Sequence, residues 1–260
     1  MDLSGRVALI TGGAGHIGSA IAEALAEVGA KIALLDIAPD RLDAIAARLR
    51  AEHGVAVLPL TVDLSDEHAI RAAPALVARE LGGLDILVHC AAWTGASQFG
   101  GWAVPFPEQA VEPWEMAYRV SVTSAFILVQ AAQEMLAASG HGSVILISSI
   151  YGMVGPDMRL YEGTPMSNPA GYNAAKGALL QLIRYLATLL APGVRVNAIS
   201  PGGVWRHQPP VFCERYVERT PLQRMATEED FKGAALYLAS DLSAYVTGHN
   251  LVVDGGWTTW

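Results

Sequence analysis

Tyr172-Asn173-Ala174-Ala175-Lys176 places a phenol and an amine four residues apart. On a helix that spacing puts both side chains on one face, about one turn from each other. Free tyrosine titrates near ~10, too high to act as a base at neutral pH. A neighbouring ammonium favours the phenolate and draws that value down. The pair can therefore work as a general acid/base with its own electrostatic support. An ordinary amphipathic helix shows the same spacing, so the chemistry depends on what the rest of the chain brings to it.

A second stretch with chemical potential is Thr11-Gly12-Gly13-Ala14-Gly15-His16-Ile17-Gly18, which joins a strand-like run to a helix-like one. Glycines let a backbone turn tightly and approach a pyrophosphate, which then meets the positive end of the helix. Asp36 closes the next apolar run, 18 residues after Gly18. A carboxylate there accepts hydrogen bonds from a ribose diol and repels a 2′-phosphate. No basic residue follows it in Ile37-Ala38-Pro39, so the spacing predicts NAD in preference to NADP. His16 is the nearby side chain available to a phosphate, and a neutral imidazole is a poor anion ligand. A lone glycine pattern is often only a strand–helix turn; its place between two elements is what gives it weight.

The elements that must position these groups can be read from apolar periodicity. Strands are predicted over Arg6–Thr11, Ile32–Asp36, Val55–Leu60, Leu84–His89, Ser143–Ser148, Val194–Ser200 and Asn250–Asp254. Between them lie helices over Gly18–Val28 and Pro39–His53, one capped by Ser65 and kinked at Pro74, and one from Pro113 to near Gly140. The helix carrying Tyr172 and a last helix over Phe231–Leu238, behind a Thr227–Asp230 capping box, complete the set. Pro201–Ala226 reads as loop or short helix. Apolar strands alternating with helices imply an α/β fold with a doubly wound parallel sheet of seven strands covered on both faces. No linker, repeat or low-complexity stretch divides residues 1–260, so a single domain is expected.

The composition, 52% hydrophobic and 16% charged, supports a large core and excludes a disordered chain. The first residues lack a signal-peptide design, and the best apolar run, 178–190, is interrupted by Gln181 and Arg184. A cytoplasmic protein is expected. Cys90 and Cys213 form no CxxC pair, which suits a reducing compartment. The seven histidines show no metal-ligand spacing, so no metal is expected. A net charge of −8 without a Lys/Arg cluster argues against nucleic acid and anionic membranes.

With these parts in order, the chain resembles the classical short-chain dehydrogenase/reductase family along nearly its whole length. The resemblance rests on Thr11–Gly18, Asp36, Asp63-Leu64, Ala91-Ala92, Ser149, Tyr172–Lys176, Pro201-Gly202 and Val253-Asp254-Gly255-Gly256. It implies one Rossmann-type domain, a nicotinamide cofactor and a homotetramer or dimer acting on a small molecule. It implies that Gly12, Gly15, His16, Ile17 and Gly18 face the pyrophosphate and that Asp63 contacts adenine, with Leu64 beside it. Ala91 and Ala92 would pass the ribose, and Pro201, Gly202 and Val204 would border the nicotinamide. Tyr172 would be the proton donor/acceptor at the substrate oxygen, with Ser149 hydrogen-bonded to that oxygen. Lys176 would lower the tyrosine pKa and hold the nicotinamide ribose. Strand alternation lets only one of Ser148 and Ser149 face the cleft, and the resemblance selects Ser149.

The sequence departs from the family pattern in several places. His16 stands where a glycine is usual, although Gly12-x-x-Gly15-x-x-Gly18 has the spacing of the family's extended branch. His89-Cys90-Ala91-Ala92 replaces the usual Asn-Asn-Ala-Gly. Ser121 aligns with the asparagine of the catalytic tetrad, whose backbone carbonyl holds a relay water, and Arg206 falls near the place of a threonine. The stretch 150–171 is longer than usual, with Tyr151, Asp157, Arg159, Tyr161, Glu162 and Asn168 as polar groups. Trp93, Trp102, Phe106 and Trp114 are expected on the opposite side. Aromatic faces with hydrogen-bonding groups suit a sugar or polyol, whereas Arg159 or Arg206 suit a carboxylate or phosphate; packed loops and solvated charges are the plain alternative. Tyr161–Pro169 also resembles a subgroup tied to bacterial surface-sugar, including flagellin-sugar, biosynthesis. These features favour an NAD-dependent secondary-alcohol/ketone oxidoreductase. A 3-oxoacyl carrier-protein reductase, a sugar-nucleotide epimerase or dehydratase, and a nucleotide-binding regulator on the same fold are the alternatives.

Overall fold

The computed structural model describes residues 1–95 and 99–260. Seven parallel strands form one sheet in the order β3-β2-β1-β4-β5-β6-β7. They are β1 (Val7–Thr11), β2 (Lys31–Asp36), β3 (Val57–Thr61), β4 (Ile86–His89), β5 (Gly142–Ile147), β6 (Val194–Pro201) and β7 (Asn250–Val253). The helices are α1 (His16–Glu27), α2 (Pro39–His53), α3 (Glu67–Leu81), α4 (Val111–Tyr118), α5 (Ser124–Ala138), α6 (Ala170–Leu190), α7 (Pro210–Arg219) and α8 (Lys232–Ala239).

Side chains alternate across the sheet because a strand has period two. Val7 and Leu9 join the core under α3, α5 and α6, while Ala8 and Ile10 join the core under α1, α2 and α8. Burial on both faces explains why the strands read as continuous apolar runs. In α1 the burial of Ile21 and Leu25, both 0% exposed, contributes roughly 1.5–3 kcal/mol each. That outweighs the roughly 1 kcal/mol that Gly18 costs a helix.

The strand order reverses between β1 and β4, where Thr11 pairs in register with His89. Open α/β sheets bind ligands at such a switch point, beyond the carboxyl ends of the strands. A third apolar cluster (Ile150, Leu160, Tyr161, Phe212, Tyr216, Met225 and Trp257) lies under the loops.

The structure corrects two local expectations, the cap of α3 and the start of α4, and resolves a third. The cap of α3 is Asp66, whose carboxylate accepts from His68 N (2.9 Å) and Ala69 N (3.2 Å), while Ser65 N is held by Asp63 (2.8 Å). That helix runs through Pro74 to Leu81 as one element. The helix expected from Pro113 begins at Val111 and is interrupted by a π-turn over Arg119–Thr123. Within Pro201–Ala226 the short-helix alternative holds: α7 has ten residues and turns Phe212 and Tyr216 inward. Residues 111–138 contain an 18-residue window long and apolar enough to cross a membrane, with a mean hydropathy of 1.3. They are instead a core element, contributing Ile127, Leu128, Val129 and Leu136 to the interior.

Candidate active site

The carboxyl ends of the strands open into a cleft of about 950 Å³. The glycine-rich turn after β1 forms one end. A Cβ on Gly18 would lie 2.2 Å from the Gly12 carbonyl oxygen, so this position must be glycine for the turn to close. Helix α1 starts there with Gly15 as its N-cap, and it has neither a side-chain cap nor an acidic residue in its first turn. Its N-terminal N–H groups therefore face the cleft without an internal carboxylate to satisfy them, a setting that suits an anion. Asp36 ends β2 at the cleft's edge, its carboxylate oriented by Ala14 N (3.1 Å) and Ala38 N (3.2 Å). Each oxygen keeps acceptor capacity for a diol. Asp63, Leu64, Ala91 and Ala92 continue the same wall, and Pro201, Gly202 and Val204 lie at the far side. These residues fit a bound dinucleotide.

His16 does not face a bare anion site: its Nδ1 lies 3.2 Å from Glu228, which also holds Arg206 at 3.0 Å. The three side chains link the glycine-rich turn to the loop after β6.

Ser149, Tyr172 and Lys176 meet at the other end of the cleft. β5 and α6 are fastened together at Lys176. Its Nζ donates to the Ile147 carbonyl (2.8 Å), and the Ser148 hydroxyl donates to the Lys176 carbonyl (2.8 Å). A Cβ on Gly152 would stand 2.7 Å from that same carbonyl oxygen, so only glycine lets the chain pass. Ser148 is thus a fastener. Ser149 Oγ accepts from Tyr151 N (3.1 Å), which leaves its hydrogen for an oxygen in the cleft.

Tyr172 also feels its own burial, which spacing alone does not report. Burial raises the Tyr172 pKa, and the Ser149 hydroxyl beside it pulls the other way. The ammonium of Lys176 lies 5.6 Å from the centre of the tyrosine ring. Burial lowers the lysine's own pKa to about 8. The Ser149 hydroxyl thus favours the phenolate, while the ammonium nearby is bonded to the sheet.

Ser121 alone among the expected site residues is outside the cleft. It is buried in the π-turn, and its carbonyl lies 3.1 Å from His89 Nε2. A carbonyl can only accept, so Nε2 carries the hydrogen and Nδ1 accepts from the Thr11 hydroxyl at 2.8 Å. Ala91 N then donates to Thr11 Oγ1 at 3.3 Å. Burial, followed by the charge of Lys176, lowers the His89 pKa to about 3 and keeps the ring neutral. His89 ties the switch point to the π-turn, a role the sequence signalled only through a polar residue closing an apolar strand. Beside it, burial pushes the Cys90 thiol up to about 12, which keeps it protonated.

The loops match the expectations in part. Trp93 and Trp102 line the cleft with ring centres 4.6 Å apart, but Phe106 is 77% exposed and Trp114 stacks on Tyr118. Part of the expected loop 93–112, Ala96–Gln98, lies outside the described residues. Tyr151, Tyr161 and Asn168 reach the cleft, whereas Asp157, Arg159 and Glu162 line a separate charged cavity of about 390 Å³ against α7. Asp157 is held there by Arg159 (2.7 Å) and Arg219 (2.6 Å), so Arg159 is not available to a substrate in the cleft. Glu23, Glu52 and His53 bring ligand atoms within 4.8 Å of one another, and Arg48 already bridges the two carboxylates.

Comparison with known proteins agrees with this geometry. A family model described as enoyl-(acyl carrier protein) reductase matches residues 12–258. A 2,5-dichloro-2,5-cyclohexadiene-1,4-diol dehydrogenase of Sphingobium indicum is 34% identical, over 98% of this chain and 97% of that protein. A cis-4-hydroxycyclohexanecarboxylate dehydrogenase of Sinomonas cyclohexanicum is 33% identical, over 97% and 96% respectively. The crystal structure of an NAD⁺-bound xylitol dehydrogenase superposes with a TM-score of 0.88 at 29% identity, covering 98% of this chain and all of that one. The chain belongs to the classical short-chain dehydrogenase/reductase family. It is an oxidoreductase of CH–OH groups that interconverts a secondary alcohol and a ketone.

Proposed function

We propose that the chain is an NAD-dependent dehydrogenase of a polar secondary alcohol, sugar-like or polyol in character, with Tyr172 as general acid/base. The observation that carries this is the convergence of Ser149, Tyr172 and Lys176 on a cleft whose opposite end is closed by Asp36. A bound nicotinamide supplies the hydride acceptor or donor. The chain's own residues handle the proton and the orientation. Tyr172 takes the hydroxyl proton as the carbinol becomes a carbonyl and returns it in reduction. Ser149 donates to the same oxygen, and the Lys176 ammonium stabilises the phenolate once the substrate oxygen has drawn it into play.

The xylitol dehydrogenase whose structure resembles this chain binds NAD⁺ by its title, which supports the cofactor assignment alongside Asp36. The relatives described as diol and hydroxycyclohexane dehydrogenases support a hydroxylated substrate. We place the enzyme in the cytoplasm as a homotetramer or dimer. Two free cysteines suit that compartment, and exposed apolar side chains such as Phe126, Tyr185 and Leu189 suit subunit contact. Assay of sugars, polyols, ring alcohols and hydroxy acids with NAD and NADP, following reduced-cofactor absorbance, tests the assignment. Turnover of a hydroxylated substrate with NAD is expected; turnover confined to NADP and acyl thioesters would overturn it.

A further inference from the structure

The cleft has two chemically different walls beside Tyr172. Trp93, Phe99 and Trp102 pack edge to face, with ring centres 4.6 Å and 5.8 Å apart, and Met116 and Val120 add apolar surface to the cleft. Tyr151, Tyr161 and Asn168 supply a polar side. Their hydrogens can be counted. Asn173 on α6 donates to Asn168 Oδ1, which fixes that amide so that its Nδ2 donates to the Tyr161 hydroxyl at 2.9 Å. The Tyr151 and Tyr161 hydroxyls are 2.9 Å apart, so one donates to the other. Two phenols hold two hydrogens, and this bond uses one. The second has no acceptor among the described residues, although the pair lines the cleft. A donor held there by three side chains is built for an oxygen that arrives with a ligand.

We propose that Tyr151, Tyr161 and Asn168 recognise a second oxygen of the substrate, and that the substrate is an alicyclic ring bearing a hydroxyl and this further hydroxyl or carbonyl. The proposal rests on the assignment of Tyr172 as the acid/base. A linear polyol carries a hydroxyl at nearly every carbon and would press some against the Trp93–Trp102 wall, each lost hydrogen bond costing about 1–3 kcal/mol. A ring diol places apolar edges there and an oxygen at each end, one for Tyr172 and Ser149, the other for the tyrosine pair. Burial and the contact with Tyr161 raise the pKa of Tyr151, so that phenol keeps its proton at neutral pH.

The test compares 1,4-cyclohexanediol, cyclohexanol and threitol with NAD, using the full chain and the double variant Tyr151→Phe/Tyr161→Phe. NAD titration by fluorescence reports that the variant is folded. In the unaltered enzyme, kcat/KM for the diol is expected to exceed that for cyclohexanol and for threitol by about 10²-fold. In the variant the diol should lose about that factor, mainly through KM, and cyclohexanol far less. Equal use of diol and cyclohexanol, a preference for threitol, or equal losses on both ring alcohols in a variant that binds NAD would overturn the proposal. Failure of the unaltered enzyme to oxidise any alcohol with either nicotinamide cofactor would overturn the acid/base assignment beneath it as well.

Discussion

Lys176 stands with its ammonium 5.6 Å from the centre of the Tyr172 ring while it donates to the Ile147 carbonyl at 2.8 Å. The charge is near the phenol but tied to the sheet, in a place where burial disfavours it. The folded pKa is about 8, against about 10.4 for a lysine in an unfolded chain. Between those values the unfolded chain binds the extra proton, so stability rises with pH across that window and the buried charge costs most below it.

Lys176→Met should therefore stabilise the protein at pH 7 while removing activity. The gap from about 8 to about 10.4 corresponds to about 3 kcal/mol. Loss of the bond to Ile147 offsets about 1 kcal/mol of it. Urea unfolding should show a net gain of about 2 kcal/mol, and a destabilised variant would contradict the assignment of Lys176 as a cation disfavoured by burial.

His89 and Ser121 should differ sharply. His89→Leu strips the acceptor from the Thr11 hydroxyl and the donor from the Ser121 carbonyl, both groups being buried. A loss of about 2–4 kcal/mol is expected on urea unfolding, since each orphaned group costs about 1–3 kcal/mol. The Ser121 hydroxyl makes no hydrogen bond among the described residues, so Ser121→Ala should leave kcat nearly unchanged. A fall in kcat as large as that of Tyr172→Phe would show that the hydroxyl itself takes part in the relay.

Asp36 should set cofactor choice. Its carboxylate is aligned by Ala14 N and Ala38 N, and Ile37-Ala38-Pro39 after it brings no cation that a 2′-phosphate could use. Fluorescence titration should find NAD bound about 10²-fold more tightly than NADP, and Asp36→Ala should narrow that ratio. Tighter binding of NADP by the unaltered protein would refute the role.

Gly18→Ala tests the turn. The added Cβ would sit 2.2 Å from the Gly12 carbonyl, which is backbone and has no room to give. The turn should shift and NAD affinity fall by at least about tenfold, from overpacking of roughly 1–3 kcal/mol. Unchanged affinity in calorimetric titration would mean that the turn does not shape the site.

The seven strands and the glycine-rich turn were legible because each has a local cause: buried apolar runs, and glycines between two elements. Ser149, Tyr172 and Lys176 were legible through spacing and family pattern. What escaped the sequence depends on long-range packing. His89 acquires its partners only when β1 and β4 lie in register and a π-turn brings the Ser121 carbonyl to the ring. Helix α7 is short and polar, with Phe212 and Tyr216 turned inward, too few to set a period. Arg159 looked like a substrate ligand, but α7 places Arg219 beside Asp157 and closes that charge cluster away from the cleft. The direction of the Tyr172 shift also required the structure, because spacing reports a neighbouring ammonium without reporting burial.

Replacing Tyr172 by phenylalanine tests the central claim most directly. The ring and its packing remain, and only the group that moves the proton is lost. With NAD and an oxidised hydroxyl substrate, kcat should fall by at least about 10²-fold, while NAD affinity stays within about twofold of the unaltered protein. A Tyr172→Phe variant that retains near-full turnover would contradict the assignment of this tyrosine as the acid/base.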